Sequence, residues 1–443
     1  MGGHSLKKLN IILALLLIFT VFLSACNAGN QTTGETDDSN IVTLKFMGWE
    51  ASPLETKAVK VGLEKFMKEN PDIKVEYTPV PQTQYSSKLL TMLAGDAAPD
   101  VFFLGAEDYR TFQKKNVLLD LTAYFENEYS IDDFIPSSAN IMQIDGKIFG
   151  VSSCTVSPVL FYNKDLFDKA GVPYPPSNPE KAWTWEQFVE AAKQLTKKDG
   201  DKVTQYGVFG LENNYMTTAE YFSNGGSPYN NDFTKSTFNT PEVKEVLQAV
   251  LDLRVKEGVA PEASVLEKIG MRPTQMLQTG KVAMLVDGSW ALQELASMNF
   301  PVGAAPLPKF KESVTHGQAH VHAASAKTKH PEEAWKLISF LSSEEYQTQL
   351  VKEGLWMPNR QSLYTDEGIK KWYNEDVHPE GFKEMATFFR DAKPNPNAFL
   401  SNNKVSSIIT EELDKFYYDG VSIDRVAERI DKRSNVELQN QRD

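Results

Sequence analysis

Three imidazoles fall within seven positions of this 443-residue chain, His316, His320 and His322, half of its six histidines. Alternate residues of a strand share a face, so His320 and His322 would project together. Neutral imidazole is the commonest metal ligand, which makes a metal-binding receptor one reading of the run. Against it, no carboxylate adjoins the three histidines to complete an ordinary ligand set. The 59 Asp and Glu residues admit a second chemistry. A secreted glycoside hydrolase needs two carboxyl groups about 5 to 9.5 Å apart, one of them with a raised pKa. The sequence contains no Gly-x-Ser-x-Gly elbow, His-Glu-x-x-His helix or phosphate-cradling glycine loop, so other catalytic schemes lack their parts.

A different chemistry suits the aromatic residues that stand beside acidic ones. Trp49-Glu50 ends an alternating run, and Asp287 precedes Trp290 by three positions. A ring beside a carboxylate fits a ligand with apolar C–H faces and an equator of hydroxyls, where the ring stacks and the acid accepts. Each pairing also has a plainer reading. Trp49 and Trp290 could pack in a core, and Asp287 could cap a helix. His320 and His322 could likewise hydrogen-bond such a ligand instead of a metal.

The elements that must carry these residues alternate between strand and helix. Val42, Leu44 and Phe46 share one face of a strand. Ser52-Pro53-Leu54-Glu55 then reads as a helix start, with Ser as N-cap, Pro first, and Glu placed to close a capping box. Ile73 to Tyr77 predicts a second strand, Tyr85 to Leu93 a helix ended by Gly95, and Asp100 to Leu104 a short buried strand. Lys147 to Val151, Val159 to Tyr162 and Lys281 to Val286 read as further strands. Thr184-Trp185-Glu186-Gln187 is a second capping box, while Pro241 and Pro331 each open a helix. Such alternation implies α/β architecture with mostly parallel sheets, whose ligands gather at the carboxyl ends of strands. That rule directs attention to Trp49-Glu50, the loop after Leu104, and Asp287 to Trp290.

The N-terminus addresses the chain to the cell surface. Lys7 and Lys8 precede an apolar run from Leu9 to Leu23, which ends at Leu23-Ser24-Ala25-Cys26. The run is that of a signal peptide spanning residues 1–25, and the tetrad resembles a lipoprotein cleavage box. Cys26 would then carry acyl chains, each buried methylene contributing about 0.8 kcal/mol to anchoring. Residues 26–40 hold almost nothing apolar and read as a flexible tether. Cys154 is left as a single thiol, without a disulfide partner in its own chain. The net charge of −13 argues against nucleic acid and against a polybasic membrane surface. Contact with the membrane would be through the lipid alone.

Several runs, taken in order, resemble the family 1 extracellular solute-binding proteins of the maltose-binding type. Met92-Leu93-Ala94-Gly95-Asp96-Ala97-Ala98-Pro99-Asp100-Val101 is similar to that family's helix-to-strand turn. Asp145-Gly146-Lys147-Ile148-Phe149-Gly150-Val151 followed by Phe161-Tyr162-Asn163-Lys164-Asp165-Leu166-Phe167 is the most diagnostic pair. Trp183-Thr184-Trp185-Glu186-Gln187-Phe188 and Gly280-Lys281-Val282-Ala283-Met284 with Gly288-Ser289-Trp290 extend the match. Two features depart from the pattern: Val151-Ser152-Ser153-Cys154 follows Gly150 where the family has proline, and residues 316–322 are rich in histidine.

The resemblance implies a two-lobed periplasmic-binding-protein-like fold of type II, with a parallel-rich sheet in each lobe and the ligand cleft between them. It implies an N-terminal lobe of residues 41–152 and 316–350 and a C-terminal lobe of residues 153–315 and 351–443. Crossings are expected near Ser152 to Ser157, Val314 to Gln318 and Val351 to Met357. The implied protein is a monomer without cofactor or catalytic residue. It captures a carbohydrate, an oligosaccharide by its aromatic complement, and passes it by hinge closure to the permease subunits of an ABC importer or to a sensor. Family position adds Tyr85, Glu107, Asp108, Asn213, Asn214 and Tyr215, and a place beside an expected crossing adds Trp356, to Trp49, Glu50, Asp287, Trp290, His320 and His322 as the ligand-binding set.

Overall fold

The computed structural model describes residues 41–95, 97–401 and 403–440. The signal peptide, Cys26 and the tether lie outside the described residues. Among the described residues no helix is long and apolar enough to cross a membrane.

The first sheet is built on β1 (Val42–Glu50), β2 (Ile73–Pro81) and β3 (Val101–Leu104), with β1 central and parallel to both neighbours. A short hairpin, β4 (Gln143–Ile144) with β5 (Lys147–Ile148), precedes β6 (Gly150–Val156). The expected strand from Lys147 to Val151 is thus broken at Phe149, whose backbone N–H turns to the Tyr109 hydroxyl. The second sheet runs in the order β11 (Val302–Ala305), β7 (Pro158–Asn163), β10 (Val282–Gly288), β9 (Lys202–Phe209), β8 (Lys197–Asp199), with β9 and β10 parallel. The chain then returns to the first sheet as β12 (His316–Ala324), antiparallel to β3 and β6, and later as β13 (Lys393–Pro394), parallel to β12.

Helices cover both sheets, and local signals place their starts. In α1 (Pro53–Glu69) the Ser52 hydroxyl accepts the Glu55 N–H at 3.1 Å. The expected capping box is only half made, because the Glu55 carboxyl turns to the Ala51 N–H and the Trp49 indole. Next come α2 (Gln82–Ala94) and α3 (Ala106–Lys114); Gly95 ends α2 in an extended conformation, not a left-handed one. In α4 (Trp185–Leu195) the box is complete: Thr184 accepts from the Gln187 N–H, and the Gln187 side chain accepts from the Thr184 N–H. Asn213 caps α5 (Asn214–Ser223), and Pro241 opens α6 (Pro241–Val255). On the return come α7 (Pro331–Leu341), α8 (Glu344–Lys352), α9 (Lys404–Tyr417) and α10 (Ile423–Asn440).

The apolar cores follow the sheets. One, including Leu44, Phe46, Phe102, Phe103, Val321 and Leu337, surrounds the first sheet. The second sheet has two, with Phe188, Val246, Met284 and Ile430 on one face and Phe161, Leu285, Trp372 and Phe389 on the other. The chain passes between the sheets at Ser157, between β11 and β12, along residues 350–357, back between Phe389 and β13, and again between β13 and α9. The first and third passages are stitched together, since Thr155 and Met357 exchange backbone hydrogen bonds of 3.0 and 2.8 Å. Residues 351–443 do not all stay with the second sheet, because β13, Leu355 and Trp356 pack with the first.

Candidate functional site

At the carboxyl end of β1, the half-buried Trp49 ring meets Phe103 edge-on at 4.6 Å and His320 at 5.0 Å. Alternation along β12 puts His316, Gln318, His320 and His322 on one face. His322 lies 5.1 Å from Phe103 and 5.5 Å from Phe46. Burial among rings pushes both imidazoles down to about 3, so they are neutral near pH 7. The Nδ1 atom of each has no hydrogen-bond partner. His316 is committed elsewhere: its Nε2 meets the Tyr215 carbonyl at 2.7 Å and its Nδ1 the Asn395 amide at 3.4 Å. The three imidazoles therefore do not converge, and among the described residues no three His, Cys, Asp or Glu side chains could hold a metal ion.

Two ligand candidates on this side belong to the core. Tyr85 is 1% exposed and donates its hydroxyl to the Met47 carbonyl at 2.8 Å. Trp356 is buried with its ring stacked 5.9 Å from Phe103, and its φ of 60° is held by the crossing it sits in. Asp108 is likewise occupied, accepting from the Ser86 hydroxyl and, at 3.4 Å, from the Asn403 amide. It ties α2, α3 and the start of α9 together. Glu50 is half-buried and accepts from the Thr56 hydroxyl.

Glu107 is differently placed. It folds over Gly105 at the first turn of α3 and accepts from Gln318 at 2.8 Å. Burial pushes its carboxyl up to about 7, against a backbone N–H that favours the charged form. Two residues before Gln318 on the same strand, His316 meets the Tyr215 ring at 4.5 Å, which sets the start of α5 against β12.

The other half comes from α5 and the end of β10. Asn213 caps α5 by accepting the Tyr215 N–H at 2.9 Å, and Asn214 accepts from the Tyr221 hydroxyl at 3.2 Å. Tyr215 donates its hydroxyl to the Val156 carbonyl at 3.2 Å, so α5 is fastened to the crossing strand. Its ring lies 5.6 Å from Trp290. Trp290 is 41% exposed, a large value for a residue of its size. Its ring lies flat over Gly288, where even a Cβ would fall 2.2 Å from ring carbons. Asp287 accepts from the Gly288 N–H at 2.7 Å and from the Trp290 indole; burial pushes its carboxyl up to about 6. Asn213, Asn214, Tyr215 and Asp287 all line one groove of about 580 Å³, within the size range of small-molecule sites.

The surroundings of these residues include groups the sequence did not single out. Phe103 stands between Trp49 and Trp356, Gln318 holds Glu107, and Glu55 sits under Trp49. Gln318 carried a signal, the period-2 face it shares with the histidines, and Glu55 carried one only as a helix cap.

The model of the bacterial extracellular solute-binding proteins matches residues 51–348, more than half of the chain. The chain belongs to that family. This solute-binding protein is similar to an ABC substrate-binding protein of Listeria monocytogenes solved in complex with cycloalternan, at 26% identity. That alignment covers 90% of this chain and 99% of that one with a TM-score of 0.77. Two relatives in Bacillus subtilis are similar at lower identity. The arabinooligosaccharide-binding protein is 22% identical over 353 residues, 77% of each chain, and the galactooligosaccharide-binding protein 21% identical over 401 residues, 88% of each. The solute-binding protein thus has the two-lobed α/β fold that its sequence resemblance implied.

Proposed function

We propose that this protein is the extracytoplasmic receptor of an ABC importer for oligosaccharides, held at the membrane by lipidated Cys26 and delivering its ligand to the permease as a monomer. The observation that carries the reading is the half-exposed Trp290 ring, seated on Gly288 beside Tyr215, with Asp287 locked below it. A rigid ring next to a groove with acidic and amide acceptors is the chemistry of a hydroxyl-rich ligand with apolar faces. The oligosaccharide names of the relatives agree with it. The protein binds and releases without bond cleavage, so its carboxyl groups serve as acceptors. Residues of both lobes take part: Trp49, Glu107, His320 and His322 from the first, and Asn213, Asn214, Tyr215, Asp287 and Trp290 from the second.

Titration calorimetry with arabino-, galacto- and malto-oligosaccharides tests this on the soluble chain beginning at residue 27. Binding of one class without product formation is expected, with Trp290→Ala weakening it about tenfold or more. Unchanged affinity after Trp49→Ala and Trp290→Ala together would remove both rings from the site. Heat with zinc but with no sugar would restore the metal reading.

A further inference from the structure

Beyond Tyr215 the groove continues along α9. Ser406, Thr410 and Asp414 lie four residues apart, and Tyr418 follows at the same interval directly after the helix. Residues at that spacing share one face of a helix. All four line the same groove as Asn213, Asn214, Tyr215 and Asp287. At 1.5 Å per residue they mark a track of about 18 Å, much longer than one sugar ring needs. The face offers two hydroxyls, a carboxylate and a phenol, set against apolar side chains such as Phe209, Leu266 and Leu285, the mix of surfaces a sugar presents.

Tyr418 is the unusual member. Its ring is 49% exposed, yet it is immobilised from behind. The hydroxyl donates to Glu212 Oε2 at 3.0 Å, and the Arg254 guanidinium lies 5.3 Å from the ring centroid. Arg254 is itself fixed, by Glu212 Oε1 at 2.8 Å and by the Tyr417 carbonyl. A single exposed aromatic ring calls for no explanation. A ring clamped edge and back, facing a groove that already ends at the ligand site, is a preformed stacking surface that loses little entropy on binding.

We infer that the groove along α9 extends the ligand site, with Tyr418 as the platform for a glycosyl residue beyond the one at Trp290. The inference rests on the sugar reading above and sharpens it: the ligand is a neutral oligosaccharide that reaches from Trp290 to the end of α9. Asp414, one turn before Tyr418, accepts hydrogen bonds from hydroxyls and disfavours an acidic sugar.

The test is a length series. Arabino-, galacto- and malto-oligosaccharides of one to five residues are titrated into wild type, Tyr418→Ala and Tyr418→Phe. Wild-type affinity is expected to climb with chain length until the Tyr418 end is filled. Tyr418→Ala should remove that last gain, roughly tenfold for the longest members, while the shortest sugar that binds keeps its affinity and so reports an intact fold. Tyr418→Phe retains the ring and should retain most of the gain. If Tyr418→Ala weakens every length equally, or none, the extension is wrong while the sugar site at Trp290 stands. If wild type binds no member of any series, the sugar reading falls and takes the extension with it.

Discussion

At the scale of single residues, the molecule keeps ionisable groups in places that penalise their charge. Glu55 is the clearest. It is almost fully buried at the first turn of α1, and burial pushes its carboxyl up to about 8, with the Glu50 charge adding to the rise. The Ala51 N–H and the Trp49 indole only partly compensate. Between about pH 4.5 and 8 the folded chain therefore holds a proton that the unfolded chain has lost. Stability contributed by this group is complete below that window and falls as pH rises through it. Glu55→Gln keeps the shape and an acceptor but cannot ionise. Its melting temperature should match wild type at pH 4 and exceed it by roughly 2 °C or more at pH 8.5. A variant that is less stable than wild type at pH 8.5 would mean that the charge is stabilised there. His320 and His322 act in the opposite direction: each resists protonation, so their contribution is lost as pH falls below about 6.5.

At the scale of elements, what could be read from the sequence was what neighbours in the sequence decide. Ser52-Pro53 and Thr184 to Gln187 name helix starts because a cap is satisfied within three residues, and Pro241 and Pro331 because proline fits the first helical turn. Trp49-Glu50 and Asp287 to Trp290 stand at strand ends because alternation shows where a strand stops. A core place for Tyr85 could be read from its helical register with Leu89 and Leu93, but burial of Trp356 was not legible, since Phe103, which holds it, lies 253 positions away. The track along α9 was hidden for the same reason: Glu212 and Arg254 are remote from Tyr418 in the chain. Asp431 on α10 shows how much such distant contacts can carry. Its Oδ1 accepts from the Ser236 hydroxyl at 2.7 Å and the Phe238 N–H at 2.8 Å, and its Oδ2 from the Asn239 N–H at 3.1 Å. One carboxylate thus pins the segment that leads into α6. Asp431→Ala leaves two backbone donors without their acceptor and should cost about 2–3 kcal/mol in urea unfolding. A loss under about 0.5 kcal/mol would show that this segment folds without the tie.

At the scale of the whole molecule, the question is how two lobes can move without unfolding. Their apolar cores are distinct, with Tyr215 packed against one on each side, so rotation need not break a shared core but must slide Tyr215. The passages between them are polar instead. Thr155, Ser157 and Thr315 are buried there, and their hydroxyl oxygens have no hydrogen-bond partner. Thr155 and Met357 exchange two backbone bonds, so two of the passages must turn as one strip. Tyr215 links that strip to the ligand groove, through its hydroxyl to Val156 and its carbonyl to His316. A ligand gripped by Trp290 on one side and Trp49 or Glu107 on the other gains contacts only as the lobes approach, which gives it a higher affinity for the closed form. Small-angle scattering should then show a smaller radius of gyration at saturating oligosaccharide than without it. Trp290→Ala at the same sugar concentration should remain at the unliganded value until enough sugar is added to saturate it. A radius that stays constant while calorimetry reports full occupancy would place the whole binding energy in one lobe, and the polar passages would then have to be explained without motion.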